Sequence, residues 1–328
     1  MADRLEPYRG KRDPRRTREP IPEAAPREGG GGDTFVIQEH HARSLHWDLR
    51  LERDGVLVSW AIPKGLPPDP ATNHLAVHTE DHPMEYADFE GEIPQGEYGG
   101  GTMTVWDRGG YETEKWSDRE VKIVLNGSRA SGRYVLFQTH GRNWMIHRMD
   151  PPNGSWEPPP ADLSPMEAVT RSRAPRDAAR FAWEFAWGGA RALVHVQGGR
   201  VAVRSPGGAD ITAGHGWLRA MGPALGSRAV VLDGEIVTLA GSSVYVCYDL
   251  VYDDGRSLLA EPYERRRTAL EDLRLAGPRW QTAPSWPGGL PAVRQAAREQ
   301  GLPGVVGKRL DSAYEPGRES AAWIFLPV

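Results

Sequence analysis

Between Phe35 and Asp150 the sequence is a series of short hydrophobic runs separated by turns. Runs such as LHWDLRLE, VLVSWAIP, VKIVLNG and SGRYVLFQ follow one another, with breaks such as RDG between them. Strands of this length and spacing, without a long helical pattern among them, are typical of antiparallel sandwiches and small barrels. The sequence therefore predicts an all-β domain, which we place at residues 33–152.

The rest of the chain predicts a second domain. A chain of 328 residues with 39% hydrophobic composition can form two cores of ordinary size. Over residues 180–328, strands such as RALVHVQ and SVYVCYDLVY alternate with helical stretches such as EPYERRRTALEDL and GLPAVRQAAREQG. This mixture predicts an α+β domain. Residues 153–179 are rich in proline, which removes a backbone donor and disfavours helix, so we predict a linker there.

The first 32 residues are rich in Arg, Pro and Gly. Such a composition cannot bury enough apolar surface to fold alone, so residues 1–32 are predicted to form a flexible arm. A basic arm of this kind suits contact with a phosphate backbone. Its basic residues are Arg9, Lys11, Arg12, Arg15, Arg16 and Arg18.

Charge and cysteine content exclude several classes of protein. The formal net charge is -4, and residues 33–150 carry 12 basic against 19 acidic side chains, which argues against binding nucleic acid or membranes through bulk charge. No stretch approaches the roughly 18 uninterrupted apolar residues of a membrane span. Cys247 is the only cysteine, so no internal disulfide can form. We expect a cytoplasmic protein without a membrane partner, in which any phosphate recognition is local.

The run HHARSLHWDLR places candidate functional residues and hydrophobic core residues on one strand. Successive side chains of a strand alternate between faces, so His46, Asp48 and Arg50 share one side. The hydrophobic residues Leu45, Trp47, Leu49 and Leu51 occupy the other. His40 can join the polar side, and two imidazoles with one carboxylate form a ligand set that suits Mn, Fe, Co or Zn. Mg would prefer oxygen ligands alone.

Other nearby residues indicate that the ligand of this metal is a phosphate. Arg50 lies about 7 Å beyond Asp48 along the strand, close enough to clamp an anion on the metal. In the segment that follows, His82 can contact or protonate a leaving oxygen and Tyr86 can donate to a phosphate oxygen. Lys64, in the turn PKGLP, is a further candidate for phosphate binding.

These motifs closely resemble the 3′-phosphoesterase module of bacterial DNA ligase D. The resemblance is carried by the run HxxxxxHxDxR, by SWAIPKG, by LAVHTEDHPMEYADFEGEIPQGEYGGGTMTVWDRG and by RNWMIHRMDPP. The arm segment YRGKRDPRRTREP resembles the N-terminal signature of the same family, so the similarity covers roughly residues 8–152. It implies a small β-barrel that uses Mn²⁺ to remove a 3′-terminal ribonucleoside from DNA and then the remaining 3′-phosphate.

The resemblance also assigns roles to residues. It implies that His40, His46 and Asp48 bind the metal and that Arg50, His82 and Tyr86 complete the catalytic group. It also implies that Asp13 and Glu19 in the arm assist the ribonucleoside step. Together with Arg12, Lys64 and His74, they are the predicted substrate-binding residues. His74 departs from the family, which commonly has an Arg before the LAV motif, so a permanent cation is replaced by a titratable one.

The second domain resembles the nucleotidyltransferase domain of ATP-dependent DNA ligases over roughly residues 180–328. Motifs such as VVLDGEIV, YDLVYDDGRSL and GLPGVVGKRLDSAYEPGR carry the resemblance. The family's nucleophilic lysine lies in KxDG, but this chain has Ala186 at that position, followed by Trp187, Gly188 and Gly189. Pro303 stands where an acidic residue is expected, and Trp323–Pro327 lacks the two lysines of the C-terminal motif.

We therefore predict a pseudo-ligase domain that does not seal nicks. Arg191, Glu235 and Lys308 are retained, and we also expect this chain to lack the OB-fold that ligases close over DNA. The expected partners are DNA 3′ ends, including a primer-template with a terminal ribonucleotide. A Ku-type end-binding protein, a repair polymerase or a separate ligase would be further partners.

Two alternative functions are compatible with the residues. The chain could be a non-catalytic scaffold that binds DNA ends, with poor metal binding and no phosphate release. His46 and Asp48 also form the HxD pair of a facial-triad iron oxygenase. That alternative requires a distal histidine far towards the C-terminus and an Arg50 that binds a co-substrate carboxylate.

Overall fold

The fold is taken from a computed structural model that describes residues 3–22, 32–151, 156–226 and 228–328. The chain divides into two compact units, Met1–Gly154 and Ser155–Val328. Each unit has its own hydrophobic core. No helix among the described residues is long and apolar enough to cross a membrane.

The first unit consists mainly of antiparallel strands. Its strands are β1 (Thr34–His41), β2 (Leu45–Arg53), β3 (Val56–Ile62), β4 (Asn73–His78), β5 (His82–Pro83), β6 (Gly91–Ile93), β7 (Gly101–Ser117), β8 (Glu120–Gly127), β9 (Ser131–His140) and β10 (Asn143–Arg148). A short helix, α1 (Glu6–Arg9), precedes them, and a 3₁₀ helix covers Met84–Asp88.

Eight of these strands close into a barrel. Their order is β1-β2-β3-β4-β10-β9-β8-β7, and β7 pairs back with β1. Closure removes the free edges at which an open sheet would pair with other chains. The β2–β3 hairpin turns on Asp54 and Gly55, both with positive φ, as a two-residue turn of this twist requires. The predicted β-barrel is therefore confirmed.

The two faces of β2 are both buried, for different reasons. Trp47, Leu49 and Leu51 join the main core inside the barrel, as the alternation predicts. Asp48 and Arg50, on the opposite face, are also buried. A second, smaller core covers this outer face, and its members include Tyr8, Leu57, Tyr86, Ile93 and Met103. The polar face of β2 is thus enclosed between the barrel wall and a covering layer.

Part of the predicted flexible arm belongs to that layer. The side chains of Leu5 and Tyr8 are buried, and the Tyr8 hydroxyl donates to the carbonyl oxygen of Pro20 at 2.8 Å. The structure thus differs from a free arm over residues 3–22, because two apolar side chains of one helical turn find a hydrophobic surface. Residues 1–2 and 23–31 of the predicted arm lie outside the described residues.

The second unit contains mixed sheets and three helices among its described residues. Its strands are β11 (Glu167–Thr170), β12 (Phe181–Ala186), β13 (Ala190–Gln197), β14 (Arg200–Arg204), β15 (Val230–Leu239), β16 (Ser242–Asp253), β17 (Arg256–Ser257), β18 (Ala276–Gly277), β19 (Trp280–Thr282), β20 (Ser285–Pro287), β21 (Gly304–Arg309) and β22 (Glu319–Pro327). Its helices are α2 (Met221–Leu225), α3 (Tyr263–Asp272) and α4 (Leu290–Glu299), with 3₁₀ helices at Ala178–Arg180 and Thr212–Ala220.

These strands form two sheets. One sheet has the order β11-β22-β21-β12-β20, and the other has the order β14-β13-β15-β16-β19-β18, with β17 paired to β16. The pairs β11–β22 and β16–β19 are parallel and the other pairs are antiparallel. The predicted α+β class is confirmed, and α3 and α4 fall within the two helical stretches of the sequence.

The predicted linker is partly ordered within this unit. Strand β11 pairs with β22, and the side chains of Leu163 and Met166 just before it are buried. The proline content of residues 153–179 concealed this strand, because only four residues of it pair. Residues 152–155, around the unit boundary, lie outside the described residues.

Candidate metal centre

Three possible metal ligands converge on neighbouring strands of the barrel. In the β1–β2 ladder His40 lies opposite His46, and Gln38 lies opposite Asp48. One donor atom from each of His40, His46 and Asp48 can be chosen so that all three lie within 4.8 Å of one another. His40 Nδ1 is 3.7 Å from Asp48 Oδ2, and His46 Nε2 is 3.7 Å from Asp48 Oδ1. These separations exceed hydrogen-bond length and leave room for an ion between the groups.

The imidazoles have the chemistry that a metal site requires. His46 Nδ1 lies 3.0 Å from the carbonyl oxygen of Ser44, which can only accept, so Nδ1 carries the proton and Nε2 a lone pair in the neutral ring. His40 Nε2 is buried and has no hydrogen-bond partner among the described residues. Nδ1 of the same ring is 3.7 Å from Asp48 Oδ2, so Nδ1 is the nitrogen placed to share an ion with Asp48 and His46. The residues therefore fit a divalent cation.

Asp48 is held in its ionised form. Burial opposes ionisation, but the Arg50 guanidinium and the two nearby imidazoles more than offset it and lower the pKa of this carboxyl. Arg50 donates to Asp48 Oδ2 at 3.0 Å. An ionised carboxylate between two neutral imidazoles is a ligand set for a borderline metal ion.

Arg50 is fixed by its neighbours rather than free in a cleft. Its side chain is 2% exposed, and it donates to Gln38 Oε1 at 2.7 Å and to Ser59 Oγ at 2.9 Å, besides Asp48. Its guanidinium carbon lies 4.7 Å from the centroid of the Tyr86 ring. Three of its five N–H groups are therefore engaged, and two remain for a bound anion.

Gln38 is a site residue that the sequence analysis missed. Its amide oxygen accepts from Arg50, and its amide nitrogen donates to the carbonyl oxygens of Tyr86 at 3.0 Å and Phe89 at 2.8 Å. It thus joins the barrel wall to the covering layer. The alternation of β1 places Gln38 on the same face as His40, and this signal could have found it.

His82 and Tyr86 lie in the covering layer beside Arg50. Burial, followed by the charges of Arg50 and Arg12, lowers the pKa of His82 well below its usual range. His82 Nδ1 lies 2.8 Å from the carbonyl oxygen of Glu80, so the neutral ring keeps its lone pair on Nε2. The two rings contact each other edge to face, with centroids 4.7 Å apart.

Two of the predicted substrate-binding residues, Arg12 and Glu19, connect the N-terminal segment to this layer. The Tyr86 hydroxyl donates to Glu19 Oε1 at 2.9 Å, and Arg12 Nε donates to the same oxygen at 2.8 Å. Arg12 also lies 3.3 Å from Glu80 Oε1 and covers the Tyr8 ring. The buried Glu80, another residue without an assigned role in the sequence analysis, therefore anchors the segment.

The remaining predicted residues, Asp13, Lys64 and His74, lie in turns or contact them. Asp13 is exposed and accepts from the backbone N–H of Arg15 at 2.9 Å, which stabilises a turn. Lys64 is exposed in the turn after β3. His74 Nδ1 lies 2.7 Å from the carbonyl oxygen of Gly65, so this histidine holds the turn that carries Lys64.

The second unit contains a cavity of about 360 Å³ at the position of the ligase motifs. Ala186, Arg191, Glu235, Pro303 and Lys308 are among the residues that line it. The cavity therefore gathers the retained and the substituted motif residues in one place.

Arg191 and Glu235, two charged groups of this cavity, both have partners within the protein. Arg191 binds Asp233 through two hydrogen bonds of 2.7 Å, and Glu235 accepts from the backbone N–H of Gly189 at 2.8 Å. Burial raises the pKa of Glu235, although that hydrogen bond opposes the rise.

The side chain of Lys308 is almost completely buried and has several partners among the described residues. Its side chain is 1% exposed, and its Nζ donates to the carbonyl oxygen of Tyr248 at 2.7 Å. The same nitrogen is 3.2 Å from Glu184 Oε2 and 3.8 Å from Asp249 Oδ2. It also lies 4.3 Å from the centroid of the Trp323 ring.

The barrel and its histidine-aspartate centre define a class of protein. Residues 38–138 match the family model of the DNA ligase D 3′-phosphoesterase domain. The six residues predicted to be catalytic all lie within this range. Within the first unit, residues 38–138 therefore belong to that family.

Individual relatives extend the similarity to both units. The chain is 46% identical over 345 residues to the multifunctional non-homologous end joining DNA repair protein LigD of Mycobacterium tuberculosis, an alignment that covers 99% of this chain and 45% of that protein. It is 33% identical to the multifunctional non-homologous end joining protein LigD of Pseudomonas aeruginosa, with 98% and 47% covered. The chain thus spans about half the length of these relatives. A solved structure of mycobacterial DNA ligase D complexed with ATP and MES is 33% identical, with a TM-score of 0.46 over 51% of this chain and 60% of that chain.

Proposed function

We propose that this chain is a Mn²⁺-dependent phosphoesterase that processes DNA 3′ ends in repair by non-homologous end joining. It would remove a 3′-terminal ribonucleoside and then the remaining 3′-phosphate. The observation that carries the proposal is the convergence of His40, His46 and Asp48 next to Arg50. Family membership of residues 38–138 supports it, as does similarity to the LigD proteins of two bacteria.

The donor set supports a metal of the manganese type. Two neutral imidazoles and one carboxylate are borderline ligands, which suit Mn²⁺ and related transition ions better than Mg²⁺. A divalent cation at this position would polarise a phosphoryl oxygen and compensate its negative charge. Arg50 would hold Asp48 in place and offer its two remaining N–H groups to the phosphate.

His82 and Tyr86 would act on the phosphate from the covering layer. The neutral His82 carries a lone pair on Nε2, so it can take up a proton, and a protonated ring could then donate to a leaving oxygen. Arg12, Glu19 and Tyr86 form one hydrogen-bonded group, through which the N-terminal segment would orient a terminal ribonucleoside. Asp13, Lys64 and His74 would contact the strand beyond the reacting phosphate.

DNA would be bound through a few local contacts and not through the overall charge of the domain. The barrel domain carries more acidic than basic residues, so binding depends on the basic N-terminal segment and the metal centre. The Ku-type, polymerase and ligase partners stay predictions, as does the cytoplasmic localisation expected from the single cysteine. The oxygenase alternative is disfavoured, because the third donor in the described residues is His40, which precedes the HxD pair instead of following far behind it.

The function is tested on a labelled primer-template that ends either in a 3′-phosphate or in a single ribonucleotide. With Mn²⁺, the wild-type chain should release phosphate from the first and should convert the second to a 3′-phosphate and then a 3′-hydroxyl. His40→Ala should abolish both reactions. His41→Ala is the matched control, because this adjacent imidazole pairs with Glu39 and is not one of the three converging donors. If all three proteins trimmed equally little, the scaffold alternative would replace the proposal.

We further propose that the second unit is a pseudo-ligase. Ala186 lines the cavity where the family has its nucleophilic lysine, and Lys308 is bound by Glu184 and by the Tyr248 carbonyl oxygen. A lysine held in this way cannot approach the α-phosphate of ATP as a free amine.

Incubation with ATP labelled at the α-phosphate should leave the wild-type chain unlabelled after denaturation. An Ala186→Lys variant shows whether the missing amine alone accounts for this. Label on that variant would mean that the rest of the cavity is competent. A labelled wild-type chain would contradict the pseudo-ligase proposal.

A further inference from the structure

A loop between β6 and β7 lies against the metal centre. We call residues 94–100, with the sequence PQGEYGG, the glycine loop. A Cβ atom added to Gly99 would lie 3.8 Å from His40 Cε1, so this residue is in contact distance of a proposed metal ligand. Gly99 has a φ of +77°, and a Cβ on Gly100 would lie 2.9 Å from the carbonyl oxygen of Pro94. The loop is therefore held closely at this position.

Tyr98, next to Gly99, is an exposed aromatic residue. It is 45% exposed, whereas the other tyrosines of the barrel domain, Tyr8, Tyr86, Tyr111 and Tyr134, are buried. Its hydroxyl lies 3.4 Å from Glu80 Oε2. Single exposed hydrophobic residues are common, so exposure alone assigns no role to Tyr98.

Tyr98 lies among ion pairs of the N-terminal segment, in which Lys11 and Arg12 both contact Glu80. Lys11 Nζ lies 4.3 Å from the centroid of the Tyr98 ring, and the Arg12 guanidinium carbon lies 5.7 Å from it. In the same loop Glu97 forms an ion pair with Arg16 at 2.8 Å. The N-terminal segment, which carries most of the basic residues near the site, is thus attached to the glycine loop.

We propose that the Tyr98 ring is a stacking surface for the nucleobase of the 3′-terminal nucleotide. The proposal rests on the proposed function, because it takes the phosphate of that nucleotide to lie at the His40, His46 and Asp48 donors. A base lies only one sugar away from its own 3′-phosphate, and Tyr98 lies only one residue away from the glycine that contacts His40. Lys11, whose side chain is 34% exposed, would face a phosphate of the strand at the same place.

Stacking explains how a domain with little positive charge can hold a strand end of any sequence. Every base has a π face, so an aromatic ring binds all four bases without reading their edges. The ring also carries no charge that the acidic barrel would have to compensate. Replacement of Tyr98 by alanine should weaken binding of a strand end about tenfold.

The test measures binding without catalysis. The full chain, in EDTA to prevent hydrolysis, is titrated against a 3′-phosphate primer-template whose terminal base is 2-aminopurine, and against the same duplex with an abasic terminal nucleotide. Wild type should bind the first about tenfold more tightly and should quench the 2-aminopurine. Tyr98→Phe should bind as wild type, because the ring and not the hydroxyl makes the contact.

Two variants remove the ring. Tyr98→Ala and Tyr98→Leu should both lose the preference for the intact terminal nucleotide and the quenching, and should bind the abasic duplex as wild type does. Leucine keeps much of the apolar volume, so it decides the test if alanine disturbs the loop. Leu75→Ala, at an exposed residue of β4, is the control and should change nothing.

Other results would overturn the inference. A wild-type chain that does not distinguish the two duplexes, or a Tyr98→Leu variant that retains the preference, would show that no base stacks on this ring. Mn²⁺ binding, followed by the electron paramagnetic resonance of the free ion, should be equal in wild type and Tyr98→Leu. Because no step requires hydrolysis, a chain that failed to release phosphate would contradict the proposed function and leave this binding result readable.

Discussion

The two units differ in whether their buried polar and charged groups have partners within the protein. In the barrel, His46 Nε2 keeps a lone pair, and the described residues provide no hydrogen-bond partner for His40 Nε2 and no acceptor for two N–H groups of Arg50. In the second unit, Lys308 is surrounded by acceptors and by aromatic rings, and Arg191 is paired with Asp233 through both branches. The unpaired polar groups of the first unit are available to a ligand, whereas the paired charges of the second unit stabilise the fold.

This comparison predicts that removing one charge has a functional effect in the first unit. Asp48→Asn keeps the volume of the side chain but removes the charge that binds a cation between two imidazoles. We expect phosphate release to fall by at least about 100-fold, and Mn²⁺ affinity to fall with it. Phosphate assays and Mn²⁺ titration measure the two effects.

The control for that substitution is Asp54→Asn. Asp54 has a 76% exposed side chain and a positive φ that asparagine tolerates, so this variant should behave as wild type. Full activity in Asp48→Asn would break the comparison, because the carboxylate would then have a structural role only.

In the second unit the corresponding change should affect stability. Lys308→Met removes the cation between Glu184 and Asp249, so that Glu184 keeps only the Tyr263 hydroxyl and the more distant Arg267, and Asp249 keeps Arg266. We expect the free energy of unfolding to fall by about 3 kcal/mol, as measured by urea denaturation. Phosphate release by the folded variant should be unchanged.

Arg318→Met provides the comparison for Lys308→Met, since Arg318 is exposed. It should alter the free energy of unfolding by no more than about 0.5 kcal/mol. Equal effects of the two substitutions would mean that the Lys308 pairs contribute no more than a surface charge does.

A smaller effect is expected from His195 of β13. Burial, and then the charge of Arg204, lowers the pKa of His195 to about 4. The unfolded state therefore binds more protons between pH 6.5 and 4, so the contribution of His195 to stability is complete above pH 6.5 and is lost as the pH falls through 4. After allowance for partial exposure, we expect a loss of about 2 kcal/mol between pH 7.5 and 4.5.

His195→Gln should remove this part of the pH dependence. The free energy of unfolding is measured by urea denaturation at both pH values, for wild type and variant. An equal fall in both proteins would show that His195 does not titrate with a lowered pKa. The pH profile of phosphate release should not change, which separates the second unit from the metal centre.

Local periodicity made much of the site predictable from sequence. The period of a strand is two residues, so it places His46, Asp48 and Arg50 on one face whatever the rest of the fold. Membership of His40 could be proposed, but its position depends on the pairing of β1 with β2, in which it lies opposite His46.

Contacts between distant segments were less accessible. The N-terminal segment reads as a free arm because it is polar on average, but the burial of Leu5 and Tyr8 depends on a surface built from residues far along the chain. Strand β11 was not predicted, because it is short and follows several prolines. The partners of Lys308, which are Glu184, Asp249 and Trp323, come from three separate strands that no local pattern brings together.

The pairing of His40 with His46 across the β1–β2 ladder has a consequence for dynamics. An ion bound by both rings would cross-link β1 and β2, because the two strands could separate only if one ring released the ion. Loading with metal should therefore slow hydrogen–deuterium exchange at the amides of β1 and β2, and the strands on the far side of the barrel should exchange as before.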